Sequence, residues 1–247
     1  EINTQEWESQ PSISADGKML YFSSRRGGGE GGLDIWVSYM QINGRWSSPQ
    51  NLGPTINTPG DEQSPFIHPD DNTFYFSSDG HPGMGGTDLY LSRRDIQGFW
   101  QTPVNLGYPI NTKSNEGTLA VSADGQTAYF ASDREDGFGK LDIYSFELPE
   151  SAKPQPTTYV KATVVDFVQQ QPLKTNVELI DLETGETLIE ATSDTASGVF
   201  LVCLPVGKNY ALNVSKSGYL FHSENFSLKD VEPNDPFQMH IPLKRIN

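Results

Sequence analysis

Aspartate recurs at positions 34, 88 and 142, each time ahead of an apolar and an aromatic residue: Asp34-Ile35-Trp36, Asp88-Leu89-Tyr90 and Asp142-Ile143-Tyr144. Three carboxylates in register could hold a divalent cation, yet calcium wants six to eight oxygens converging on one point. Carboxylates spaced 54 residues apart fall on separate elements. The spacing therefore points to a loop-capping hydrogen bond, repeated because its element is repeated. Asp133, Glu135 and Asp136 crowd one loop and leave an isolated Ca²⁺ there as the alternative; no other cofactor is expected. The Gly-rich stretches Arg25 to Gly32, Asp79 to Gly86 and Asp133 to Lys140 invite a phosphate-cradle reading. A phosphate loop must lead into a helix N-terminus, whereas each of these leads into a strand pattern, so flexible loops are expected. His68, His81, His222 and His240 are scattered, with no i, i+4 zinc pair and no Cys partner. Cys203 lies in an apolar run and reads as a small core residue. There is no Gly-x-Ser-x-Gly, and abundant acid side chains alone are no sign of glycosidase chemistry. No residue is assigned a catalytic role, and the chain reads as a non-enzyme. Arg25, Arg26, Arg93, Arg94 and Arg134 read as solvated charge pairs, with a partner-binding rim as the alternative. The partner-binding loop residues on that alternative are Arg25, Arg26, Asp79, His81, Asp133 and Arg134.

The elements that must position these residues emerge from composition and periodicity. The chain has 247 residues with a formal charge of −15. That charge repels phosphate backbones and anionic headgroups, so nucleic acid is not an expected partner. No apolar stretch reaches the ~18–20 residues of a membrane-spanning helix, so an integral membrane protein is not expected. Aromatics make up 11%, Gly and Pro are plentiful, and no long helical periodicity is present, which favours an all-β chain. Residues 1–150 hold nine basic and twenty-one acidic side chains, so most of the acidity belongs to the N-terminal half.

That half is an internal repeat of constant period. The turn aspartates Asp16, Asp70 and Asp124 are 54 residues apart, as are the Asp34, Asp88 and Asp142 motifs. Trp46 through Asn51-Leu52-Gly53 recurs as Trp100 through Asn105-Leu106-Gly107, and Ile2-Asn3-Thr4 recurs as Ile56-Asn57-Thr58 and Ile110-Asn111-Thr112. Each unit reads as four short strands. The first follows Glu8, Glu62 or Glu116. The second, such as Thr73-Phe74-Tyr75-Phe76, is apolar at consecutive positions and so is buried on both faces. The third starts at the Asp motif, and the fourth carries Trp46 or Trp100. Asp-Gly and Asp-Asp turns join the first two strands.

The pattern Ser-x-Asp-Gly-x-x-Leu-Tyr-Phe-Ser-Ser, followed by a Gly-rich loop and Gly-Gly-x-Asp-Ile-Trp, resembles the TolB-type, WD-like β-propeller repeat. It is closest in kind to the version in OmpA-family periplasmic proteins of Bacteroidota, the PorE-like group. Residues 149–158, with three prolines, read as a linker. Residues 159–247 read as six or seven strands of a β-sandwich. The runs Val160 to Asp166, Pro172-Leu173, Ser197-Gly198-Val199-Phe200, Leu204 to Tyr210 and Lys216-Ser217-Gly218-Tyr219 resemble the carboxypeptidase-regulatory-like, transthyretin-like family.

The expected architecture is thus three four-stranded blades of a larger ring over residues 1–148, then the linker, then the sandwich. Three units are too few to close a propeller, which takes about 4–8 blades. Further blades are expected ahead of Glu1, with the last blade taking its missing fourth strand from that upstream region; two chains sharing one ring is the alternative. The resemblance implies a periplasmic, outer-membrane-associated scaffold for other cell-envelope proteins, as in type IX secretion. It also implies a link to peptidoglycan only through an OmpA-like domain not among these residues. The alternatives are a glycan-binding or glycan-processing propeller and the propeller part of a peptidase.

Overall fold

The computed structural model describes residues 2–233 and 235–246. It is all-β: eighteen strands in several small sheets and no helix among the described residues. The chain divides into two compact units, Glu1–Gln155 and Pro156–Asn247.

In the first unit each repeat folds on itself. Strands β1 (Glu8–Ile13), β2 (Met19–Ser24), β3 (Asp34–Tyr39) and β4 (Gln50–Asn51) form one antiparallel sheet in sequential order. The second sheet repeats this with β5 (Glu62–Ile67), β6 (Thr73–Ser78), β7 (Asp88–Arg93) and β8 (Val104–Asn105). The third has only β9 (Glu116–Val121), β10 (Thr127–Ser132) and β11 (Asp142–Glu147). The fourth strand is shorter than its sequence suggests. Trp46 and Trp100 make single bridges to Met40 and Arg94, and ladder pairing is confined to the residue pairs at 50–51 and 104–105.

The turn aspartates act through their side chains. Asp16 accepts from Ser14 Oγ at 2.6 Å and Lys18 N at 2.9 Å, Asp124 accepts from Ser122 Oγ and Gln126 N, and Asp70 accepts from Asn72 N and Thr73 N. Such Asx bonds hold the tight turn, and the residue after each takes a positive φ at Gly17, Asp71 and Gly125. One regularity is invisible in the residue types. Gln10, Ser64 and Thr118 occupy one repeat position and all have φ near +50°, at the bulge where the first strand slips register against the second. The bulges face one another across the units, with Ser64 N donating to Gln10 Oε1 at 2.8 Å and Ser64 Oγ lying 3.3 Å from Thr118 Oγ1.

Apolar cores lie between successive sheets. Tyr21, Ile35, Val37 and Ile56 meet Ile67, Phe74, Phe76 and Tyr90 in one. Tyr75, Leu89, Leu91 and Ile110 meet Leu119, Val121, Ala128 and Phe130 in the next. This is why the second strand is apolar without alternation: in the middle unit it is covered on both faces. The third sheet breaks that expectation, since its β10 and β11 alternate buried and exposed.

The segment expected to be a linker is folded against the first unit as far as Gln155. Ala152 is buried in the second core, its carbonyl accepts from Tyr75 OH at 2.6 Å, and Arg93 donates to the carbonyls of Ser151 and Lys153. Gln155 N reaches Asp70 Oδ2 at 2.9 Å. Its prolines suppress helix and strand but leave carbonyls available, and these are what the arginine and tyrosine use.

The second unit has a three-stranded sheet, β15 (Val199–Pro205), β12 (Thr157–Asp166) and β18 (Phe237–Leu243), in which β12 and β18 run parallel. A four-stranded antiparallel sheet orders β14 (Thr187–Thr192), β13 (Asn176–Asp181), β16 (Asn209–Ser215) and β17 (His222–Ser227). Both contribute to one core, which includes Val160, Val164, Leu179, Tyr210, Leu212 and Ile241. Strand β17 has no clear alternation and escaped the sequence reading. Cys203 is half-buried on β15 between the core residues Val202 and Leu204, so it points to the opposite face and is not a core residue.

Candidate interaction surface

The repeat sheets have two distinct ends. At one end lie the Gly-rich loops between second and third strands and the connectors into the next unit. Glu8, Glu62 and Glu116 organise it. Glu62 is fully buried and accepts from Thr58 N and Oγ1, both at 2.7 Å, and from Ser78 Oγ at 2.6 Å. Glu116 repeats this with Thr112 and Ser132, and Glu8 with Thr4 and Ser24.

An arginine completes the first and third clusters. Arg26 stacks on Phe22 and Trp36 at 4.9 and 5.3 Å and lies 3.2 Å from Glu8. Arg134 stacks on Phe130 and Tyr144, lies 3.5 Å from Glu116 and donates to the Ile110 carbonyl. The middle unit has Gly80 at the arginine position, and the next residue, His81, takes over: it packs on Phe76 and Tyr90 and its Nε2 lies 2.8 Å from the Ile56 carbonyl. Burial pushes the Glu8 carboxyl up, but its hydrogen bonds from Thr4 and Ser24, with Arg26 beside it, leave it below the ordinary range. Glu62 has no guanidinium, and burial holds it above that range.

The solvated-pair reading of the arginines is therefore corrected. Of the expected loop residues only Arg25 is a loose surface cation, 3.8 Å from Asp61. Arg94, at the other end, donates to Tyr21 OH at 2.7 Å and stacks on Trp100. Aromatic faces at fixed repeat positions were the available signal. A stacked guanidinium keeps its charge while its flat surface covers apolar area.

The Gly-rich loops are also not flexible connections. Asp34, Asp88 and Asp142 cap them from within: Asp34 Oδ2 accepts from Glu30 N at 2.9 Å, Asp142 Oδ2 from Phe138 N at 2.7 Å, and Asp88 Oδ2 from Met84 N. The loops are then stitched to the next unit, Leu33 N to Asp61 Oδ1 and Thr87 N to Asn115 Oδ1. Asp79 and Asp133 close the chain of contacts by accepting from Asp61 N and Asn115 N. Two glycine positions are explained by close approach. A Cβ at Gly31 or Gly85 would run into the carbonyl of Thr58 or Ser114 in the neighbouring connector. No three His, Cys, Asp or Glu side chains among the described residues converge as a metal site. At the Ca²⁺ alternative, Asp133 is turned to Asn115 and Glu135 pairs with Lys113 at 2.8 Å.

A second repeated fastening lies in each connector. Asn57 Oδ1 accepts from Ile35 N at 2.8 Å, while its Nδ2 donates to Ile35 O and to Asn51 Oδ1. Asn111 makes the same three bonds to Leu89 and Asn105. The Ile35 and Leu89 carbonyls also accept from Leu52 N and Leu106 N, but the two N–H groups have the asparagine as their partner, so the connector that follows finishes each of the first two sheets.

The opposite end carries the tips of the hairpins between third and fourth strands. Gln41 N to Arg45 O and Asp95 N to Phe99 O close these turns, with Gly44 and Gly98 at positive φ. Ile42 and Ile96, one repeat apart, stand fully exposed at the tips. Beside the second tip, Tyr21, Tyr39, Arg94, Phe99 and Trp100 line a groove of about 410 Å³. Trp100 closes it by packing on Phe74 at 5.0 Å.

No family model and no curated protein matches the chain. Among solved structures, it is similar to TolB from Acinetobacter baumannii at 12% identity and a TM-score of 0.42, over 92% of this chain and 53% of that one. The Bacillus anthracis TIE protein aligns at 12% identity and a TM-score of 0.31, over 100% of this chain and 59% of that one. A C-terminal fragment of the pilus adhesin SpaC from Lactobacillus rhamnosus GG aligns at 15% and 0.30, over 96% and 97%. The chain spans little more than half of the first two.

Proposed function

We propose that the chain is a non-enzymatic interaction module: a partial β-propeller of TolB-type, WD-like blades followed by a carboxypeptidase-regulatory-like β-sandwich. Its place is the periplasm, associated with the outer membrane, as a scaffold among cell-envelope proteins of the type IX secretion kind. Attachment to peptidoglycan belongs to an OmpA-like domain outside these residues. The observation that carries this reading is the pair of hairpin tips. Isolated exposed apolar residues are ordinary, but Ile42 and Ile96 hold one repeat position and are fully exposed in both units. The repeated polar side chains, in contrast, are spent on fastening the rim, which leaves recognition to the tips.

The test replaces both tips. Ile42→Asp with Ile96→Asp leaves stability within about 0.5 kcal/mol, because neither side chain is packed. A photo-reactive residue at position 97 in cells cross-links the parent to a discrete outer-membrane-fraction protein, and the double variant loses that product. An unchanged cross-link pattern, or recovery of the protein from the cytoplasm alone, rejects the reading. The groove beside Trp100 favours a second reading, glycan binding, since an aromatic wall with one arginine suits a sugar face. Quenching of Trp fluorescence by oligosaccharides at submillimolar concentration would favour it.

A further inference from the structure

Arg94 is a guanidinium without a counter-charge. Arg25, Arg26, Arg134 and Arg245 lie between 2.8 and 3.8 Å from a carboxylate, and Arg93 donates to the carbonyls of Ser151 and Lys153. Arg94 stacks on Trp100 at 4.7 Å and gives Nη2 to Tyr21 OH and Met19 Sδ, and it makes no ion pair among the described residues. Its Nε is buried and has no hydrogen-bond partner there. Asp71, a carboxyl that feels its charge, is turned to Ala15 N. A guanidinium fork held flat by an aromatic ring is pre-set for a planar carboxylate. The groove of about 410 Å³ that Arg94 lines is set between the first and second sheets. Trp100 is already covered by Arg94 and by Phe74, so the open apolar surface belongs to Tyr39 and Phe99, 40% and 71% exposed. Gln50 and Thr55 add an amide and a hydroxyl to the lining.

We propose that this groove takes a polypeptide segment of a partner in which an aspartate or glutamate stands beside an apolar side chain. The carboxylate meets Arg94, and the apolar group lies on Tyr39 and Phe99. The chain itself shows backbone seated at the equivalent place one repeat on. There the crevice beside Leu91, Arg93 and Leu106 is closed along one side by the run from Pro149 to Ala152. Tyr75, the mate of Tyr21, donates to the Ala152 carbonyl, and Arg93 takes the carbonyls on either side of it. Arg93 is thus spent within the chain, whereas Arg94 keeps its charge for a ligand. Polypeptide also suits the open rings better than a sugar does, since the indole a sugar would stack on is covered. Arginine and aromatic side chains in a partly closed pocket are the usual anchors of a protein interface. The inference rests on the interaction-module reading and gives that module's partner its chemistry.

Selection of a random heptapeptide library displayed on phage against the full 247-residue chain tests the proposal. Enriched sequences are expected to carry Asp or Glu next to Leu, Ile, Phe or Tyr. A synthetic peptide of the enriched sequence, added to isotope-labelled protein, is expected to shift the Arg94 side-chain and Trp100 indole NMR signals with a Kd of about 100 μM or tighter. The same peptide with its acid changed to the amide is expected to bind at least about tenfold more weakly. Phe99→Ser, at an exposed position, is expected to weaken binding about fivefold with an unchanged melting temperature. Arg94→Gln abolishes it and Arg94→Lys restores only part, because a lysine has no planar fork. Arg94 also supports Tyr21, so if Arg94→Gln fails to fold, the acid-to-amide comparison on the parent chain decides. No enriched sequence, an enriched sequence without an acid, or an amide peptide that binds as well overturns the proposal. So does trigalacturonate moving the Arg94 and Trp100 signals where the peptides do not. The cellular cross-link separates this site from the reading beneath it. A product lost with Ile42→Asp, Ile96→Asp but kept with Arg94→Gln retains the module and removes this site, whereas a product that neither change affects rejects the module itself.

Discussion

Asn111→Ala is expected to destabilise the first unit by about 3 kcal/mol, a fall of roughly 10 °C in its unfolding midpoint. The amide is fully buried and makes three bonds between 2.7 and 2.9 Å, two of them to the backbone of Leu89. Truncation orphans the buried Leu89 N–H and leaves the Leu89 carbonyl only its bond from Leu106 N; an orphaned group of this kind costs about 1–3 kcal/mol. Asn3→Ala, the same change at the exposed mate, is expected to leave stability within about 0.5 kcal/mol. The pair is measurable by guanidinium titration followed by Trp fluorescence. All four tryptophans, Trp7, Trp36, Trp46 and Trp100, lie in the first unit, so the signal reports that unit alone. Equal costs at both positions would show that the contacts drawn here do not hold the sheets.

Asp71→Asn is expected to stabilise the protein, and only above about pH 5. Asp71 stands where the other two units have Gly17 and Gly125, with φ at +54°. Burial pushes its carboxyl up to about 6; the bond from Ala15 N offsets part of this, while Asp16 repels the charge further. A carboxyl raised above its unfolded value of about 3.9 favours the folded state below that value, and the benefit is lost as pH rises through about 6. At pH 8 the folded protein carries a charge it holds badly. Asparagine keeps the acceptor for Ala15 N and tolerates the left-handed backbone. The expected gain is about 1–2 kcal/mol at pH 8, discounted for partial exposure, and near zero at pH 4. Taking the difference from the parent at each pH cancels the opposite trend of Asp70 and Glu8, whose carboxyls are held low. A gain that persists at pH 4 would point to backbone strain at this position instead of charge.

Much of this was legible in the sequence, for physical reasons that differ by element. A constant period located every turn aspartate and every second and third strand, because identical local chemistry must fold identically. The same period marked Asn57 and Asn111 without revealing their work, since a side chain bonded to backbone leaves no trace in residue type beyond itself. Arg26 and Arg134 looked like surface charges because their stacking partners, Phe22, Trp36, Phe130 and Tyr144, come from strands that are separated in the sequence. The bulge at Gln10, Ser64 and Thr118 was hidden because three different residues adopt one backbone state. The fastening of residues 149–155 was hidden because proline-rich stretches bind through carbonyls. The openness of the third sheet was the least legible of all. Tyr129 and Ile143 are the same kinds of residue as Tyr21 and Ile35, and only the missing neighbour distinguishes them.

That each of the first two sheets is completed by the connector that follows it is the central claim, and amide exchange measured by NMR tests it most directly. The Ile35 and Leu89 amides, bonded to Asn57 and Asn111, are expected to exchange only on unfolding of the unit, while the Ile143 amide of the same chain exchanges at least about a hundredfold faster, as an unbonded edge group does. An Ile143 amide as slow as the other two would contradict the account.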